Sequence, residues 1–130
     1  MKYLFISSED SLKYNPTNST YEFTVTLPQT IHGDWEIALS EIEYASHFED
    51  MYVFCDLCES SYVKDKTLPL LRVVSKMGVF QNLYFYSVTR KVIQRIRVFI
   101  RNKDLETPSQ SVGPIRLTLV MRQNACDETK

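Results

Sequence analysis

Apolar and polar residues alternate along most of this chain, and the period is two rather than 3.6. In "YEFTVTL", Tyr21, Phe23, Val25 and Leu27 fall on one side, with Glu22, Thr24 and Thr26 on the other. "WEIALSEIEY" groups Trp35, Ile37 and Leu39, with Ala38, Ile42 and Tyr44 partly opposite, as in a strand covered on both faces over part of its length. "MYVFCDL", "LPLLRVVS", "NLYFYSV" and "IRLTLVMRQ" have the same strand-like character. Strands are therefore predicted near 2–7, 21–27, 35–44, 51–57, 68–75, 82–88, 92–102 and 115–123.

The turns between them are chemically marked: "SSEDS", "NPTNST", "HGD", "SKMG" and the long polar "NKDLETPSQSVGP". No segment carries a helical apolar stripe, although "SHFED" is compatible with one helical turn. About eight antiparallel strands predict an all-β, single-domain β-sandwich, with the jelly roll preferred over the immunoglobulin type. The domain is placed at 1–123, with 124–130 as a flexible tail.

The stretch "RKVIQRIRVFIRNK" at 90–103 tests the period. As a strand, Val92, Ile96, Val98 and Ile100 share a side with Gln94. Arg95, Arg97, Arg101 and Lys103 then share the other side with Phe99. As a helix, steps of about 100° would scatter the arginines around the cylinder. The β-branched content also favours a strand.

Composition narrows the class. A chain of 130 residues can bury roughly 65–70% of its unfolded surface. No apolar run approaches the roughly 18 residues of a membrane span, and no secretory signal is recognisable, so synthesis in the cytosol without membrane contact is expected. Cys55, Cys58 and Cys126 suit reduced thiols, and Asn18-Ser19-Thr20 is taken as a chance match to the glycosylation pattern.

The net charge of −1 conceals an asymmetry: residues 1–65 carry three Lys/Arg against twelve Asp/Glu, and residues 66–130 carry twelve against four. This asymmetry predicts pairing within or between subunits. Arg95, Arg97 and Arg101 are set against Glu36, Glu41 or Glu43, and Arg72 against an acid of the first half.

Candidate chemistry is sparse. No nucleophile elbow, zinc-protease motif or phosphate loop occurs. Glu41 and Glu43 lie two apart on a strand but lack any sign of the apolar pocket a general acid needs. Cys55 and Cys58 have half of a zinc spacing, yet positions three apart on a strand point to opposite sides. No catalytic residue, metal or cofactor is expected.

A rival reading treats 90–103 as a nucleic-acid groove. Arg90, Lys91, Arg95, Arg97, Arg101 and Lys103 would track the backbone, and Phe99, helped by Tyr84 and Tyr86, would stack on bases. A third reading makes the 103–114 loop a ligand or glycan site.

Three patches taken together carry a resemblance: "FTVTLPQTIHGDWEIALSEIEYAS" at 23–46, "VFCDLCESSYVKDKTLPLLRVV" at 53–74 and "IRLTLVMRQ" at 115–123. "SLKYNPTNSTYEFTVTLP" at 11–28 adds to it. The chain resembles the N-terminal region of capsid-associated structural proteins of Maverick/Polinton-type elements and adintoviruses.

The resemblance implies a non-enzymatic virion component, minor-capsid or penton-like. Such a component would sit in the capsid and assemble with itself as a homo-oligomer or with other capsid proteins. It gives Pro69 and Arg72 a structural meaning and supports Trp35, Leu39, Leu70 and Leu71 as core anchors, with Leu117 and Leu119 of the last strand beside them. The expected interface residues are Arg90, Lys91, Arg95, Arg97, Phe99, Arg101, Lys103, Glu36, Glu41 and Glu43.

Overall fold

The computed structural model describes residues 1–9, 19–45, 49–108 and 113–123. The strands are β1 (Lys2–Ser7), β2 (Glu22–His32), β3 (Trp35–Glu43), β4 (Met51–Cys55), β5 (Ser61–Val63), β6 (Lys66–Leu68), β7 (Leu70–Val74), β8 (Gly78–Val79), β9 (Tyr86–Ser87), β10 (Val92–Arg101) and β11 (Arg116–Gln123).

One sheet has the order β1-β11-β3-β8, with β9 on the same flank of β3 as β8. The other has the order β2-β10-β4-β7, and β5 and β6 form a separate hairpin. All pairings are antiparallel. Setting the hairpin aside and joining β8 to β9 leaves eight strands, which alternate between the sheets except at β4 to β7. That wiring is the jelly-roll form of the sandwich.

The crossings explain the turn chemistry. Between β2 and β3, Gly33 holds a φ of 112°, which an L side chain rarely adopts, and the chain changes sheets within two residues. Its N–H donates to the Lys91 carbonyl at 2.9 Å. Trp35 secures the exit by donating its indole N–H to the His32 carbonyl at 2.8 Å.

The core lies between the sheets. Ile37, Leu39, Ile42, Val53, Leu71, Ile96, Val98, Ile100, Leu117 and Leu119 are among its fully enclosed members, and Trp35 is 8% exposed. Leu70, expected as a core anchor, is only half-buried; its neighbour Leu71 takes the interior position. A register shift where Val53 and Phe54 pair with β7 separates these two expected anchors: Phe54 lies opposite Leu70 and Val53 opposite Arg72.

Two more bulges change strand parity. In β3 the register shifts opposite Thr118 and Leu119, where Ser40 drops out of the ladder and donates its hydroxyl to the Thr118 carbonyl at 3.0 Å. Ile42 and Tyr44 therefore join Trp35, Ile37 and Leu39 inside rather than facing away from them. In β10 the shift lies between Ile93 and Arg95. Ile93 is fully buried while Val92 is 50% exposed, so Val92 does not share the core face of Ile96, Val98 and Ile100.

The strand expected at 82–88 is an interrupted edge. Gly78 and Val79 pair with Ile42 and Glu41, Tyr86 and Ser87 pair with Ile37 and Glu36, and the intervening chain leaves the ladder. The hairpin at 61–68 and the continuation of β2 to His32 across Pro28 were not expected. The 124–130 tail, Cys126, Asn18, most of "SHFED" and part of the 103–114 loop lie outside the described residues.

Candidate functional site: two charged outer faces

The basic strand lies extended, with its arginines on the outward face of the β2-β10-β4-β7 sheet. Glu22 stands opposite Phe99 on β2. One Glu22 oxygen lies 3.1 Å from Arg97 Nη2, and the other lies 2.7 Å from Arg101 Nη2. Hydrogen bonds from Arg101 and then Arg97 hold the Glu22 carboxyl below its usual pKa, against a smaller opposing effect of desolvation. The expected partners Glu36, Glu41 and Glu43 are on the other sheet and cannot serve here.

Phe99 is not an open stacking platform. Its ring stacks on Phe54 at 4.8 Å between centroids with 10° between planes. The guanidinium carbons of Arg97 and Arg101 lie 5.0 and 5.2 Å from its centroid. Phe54 is wholly enclosed, although it occupies the outward register of β4.

Tyr84 and Tyr86 do not join this face: Tyr84 lies over Arg72, and Tyr86 belongs to the other sheet. Arg90 pairs with Asp56 at 2.5 Å and Lys91 with Asp34 at 3.5 Å. Among the described residues, Arg95 and Lys103 have no carboxylate in ion-pair range.

The outward face of the other sheet carries its own one-to-one pairs. Arg122 Nε lies 2.8 Å from Glu36, and Arg116 Nη1 lies 3.4 Å from Glu43. The Arg122 guanidinium also sits 3.7 Å from the Phe85 ring centroid. Both faces thus satisfy most of their charges by cross-strand pairing within a sheet, and the asymmetry between the two halves of the sequence does not become an acidic face opposed to a basic one.

One transverse row crosses the Glu36/Glu43 face from β1 to β8: Phe5, Thr118, Glu41, Val79. Phe5 is 79% exposed and Val79 71%. A cavity of about 250 Å³ opens beside this row, lined by Phe5, Glu41, Glu43, Arg116 and Thr118 among others. Glu41 and Glu43 lie on its floor among solvent-facing groups, which is not the buried pocket a general acid needs.

Among the described residues, Arg72 has no acidic partner. It donates to the Asn82 carbonyl at 2.7 Å and is held between the rings of Phe80 and Tyr84, at 3.8 and 4.5 Å from their centroids. Phe80 packs against the core, so this clamp closes the flank where β7 of one sheet nears β8 of the other.

Cys55 and Cys58 are both buried free thiols, brought to the same side by a turn in which Cys58 N–H donates to the Cys55 carbonyl at 3.0 Å. Hydrogen bonding to Cys55 and then burial hold the Cys58 thiol far above its ordinary pKa. Among the described residues, no three His, Cys, Asp or Glu side chains gather as a metal site.

Neither a known protein family nor a characterised protein matches this chain.

Proposed function

We propose that this jelly-roll domain is a non-enzymatic assembly module, a structural or capsid-associated protein of a virus-like particle that works through protein–protein contacts. The observation that carries the reading is the outward row of the β1-β11-β3-β8 sheet. A domain with a complete interior core of its own also presents Phe5, Val79 and the 56%-exposed ring of Tyr3 to solvent on one sheet. Tyr3 and Phe5 stand side by side on β1, while Val79 lies beyond Thr118 and Glu41 at the far end of the row; the adjacent exposed rings at the sheet margin favour a protein partner. The resemblance to capsid-associated proteins of Maverick/Polinton-type elements supports the same class, with a place in the virion and a homo-oligomer or other capsid proteins as partners.

The tying of Arg97 and Arg101 to Glu22 weighs against the nucleic-acid reading. Those guanidiniums would have to leave a carboxylate to reach phosphate. Light scattering and native mass spectrometry across a wide concentration range test the proposal, with oligomers as the expected result. A monomer at every concentration that binds random-sequence DNA with a steep salt dependence would overturn it.

A further inference from the structure

Sheet edges are open templates for another strand, and folded proteins ordinarily blunt them. Among the described residues, three of the four edges of the two large sheets are blunted. β2 carries Pro28, and residues 27–30 lie outside its ladder with β10. β7 is five residues long and follows Pro69. The β8/β9 edge is broken into two pieces of two residues each.

β1 has no such device. Its six residues pair continuously with β11 and, among the described residues, with no other strand. The strand contains no proline, and Lys2 at its start is its sole charge.

The ladder fixes which groups face outward. Ser8 N–H donates to the Ile115 carbonyl at 2.9 Å, continuing the β1–β11 register. Antiparallel bonding alternates, so Lys2, Leu4 and Ile6 turn their backbone groups toward β11, and Tyr3 and Phe5 turn theirs toward the open side. The Tyr3 and Phe5 side chains also project from the outer face, while Leu4 packs at the margin of the core. A cavity of about 250 Å³ lies alongside, between residues 2–4 and residues 27–31 of β2.

We infer that β1 is the site at which a second copy of this chain docks, by antiparallel β1–β1′ pairing about a two-fold axis through Leu4. This inference rests on the reading of the domain as an assembly module. The strand is its own complement. With Leu4 opposite Leu4′, Tyr3 falls opposite Phe5′ and Phe5 opposite Tyr3′. Both are hydrogen-bonded pairs that use the open N–H and C=O groups and set aromatic rings side by side. Lys2 falls opposite Ile6′, so the two Lys2 side chains stay about 13 Å apart along the strands and do not clash electrostatically. The contact is isologous and closes as a dimer, joining the two β1 sheets into one.

The test is sedimentation or native mass spectrometry of the 130-residue chain and of Phe5→Pro and Phe5→Lys. Phe5→Pro removes an N–H from the open side and leaves the β11 bonds intact; Phe5→Lys keeps the backbone and adds a charge. Each should weaken dimerisation by more than about tenfold with the unfolding midpoint retained. In a Cys126→Ser background, Leu4→Cys should cross-link under mild oxidation, because facing residues of a non-hydrogen-bonded pair lie within disulfide reach. An oligomer untouched by both Phe5 variants and not cross-linked through residue 4 overturns β1 pairing and leaves the assembly reading standing. A wild-type monomer at all concentrations removes self-assembly as well.

Discussion

The two outward sheet faces use the same residue types in different arrangements. On the β10 face, two guanidiniums converge on one carboxylate above a stacked pair of rings, of which the lower is fully enclosed. On the β11 face, each arginine has its own glutamate, and the Arg116–Glu43 pair stands in solvent with both side chains more than half exposed. The first arrangement is a small second core with charges for a roof; the second is closer to ordinary surface pairing. Convergence on one carboxylate and the enclosed ring beneath it make the difference, since Arg122–Glu36 is about as enclosed as Arg101–Glu22; burial sets apart only Arg116–Glu43, where water competes for both partners.

The largest expected effect comes from the floor of the first arrangement. Phe54→Ala removes an enclosed ring from beneath Phe99 and should cost about 3–5 kcal/mol in chemical denaturation. Trp35→Ala in the main core belongs to the same range, so equal losses would mark the β10 face as a true core. A loss near that of an exposed residue would break the comparison.

Arg72→Ala, at the flank between the sheets, should cost about 1–2 kcal/mol through its two ring contacts. Its urea midpoint would fall without loss of cooperativity.

Glu22→Gln should cost about 1 kcal/mol or less, since the carboxylate is partly open to solvent. A double-mutant cycle with Arg101→Gln isolates the pairwise part. The pH dependence has a definite sign. The folded Glu22 pKa is depressed, so its contribution is fully present above the unfolded value, near 4.5, and fades as pH falls through the lower folded value. Wild type and Glu22→Gln should therefore differ at neutral pH and converge in strong acid.

Arg116→Ala should shift stability by about 0–0.5 kcal/mol, and salt should erase even that. A larger effect would mean that the two faces are more alike than their exposures indicate.

Much of the fold was legible in the residues. Period-two alternation placed the main strands, and aliphatic positions such as Leu39, Leu117 and Leu119 mark the interior because a half-buried strand needs apolar groups on one side only. The outward direction of Arg95, Arg97 and Arg101 follows from the same parity. The bulges were not legible. One extra residue at Ser40, or the unequal spans from Ile93 to Arg95 and from Ile31 to Thr26, reverses parity locally, and no residue type announces it. Leu70 and Val92 lose their expected interior places for that reason, while Leu71, also expected inside, keeps its place and Ile93 is enclosed beside Val92.

Ion-pair partners were hidden more deeply. Glu22 was visible as an outward acid on an early strand, but pairing it with Arg97 and Arg101 requires knowing that β2 adjoins β10, across roughly seventy intervening residues of chain. The sequence alone determined an all-strand sandwich with a basic outer stripe, because side-chain parity is a local property of an extended backbone. Only the tertiary structure decided which acid pairs with Arg97 and Arg101 and which long edge lacks a second neighbouring strand among the described residues, because both depend on strand order and register, and those are set by contacts between distant segments.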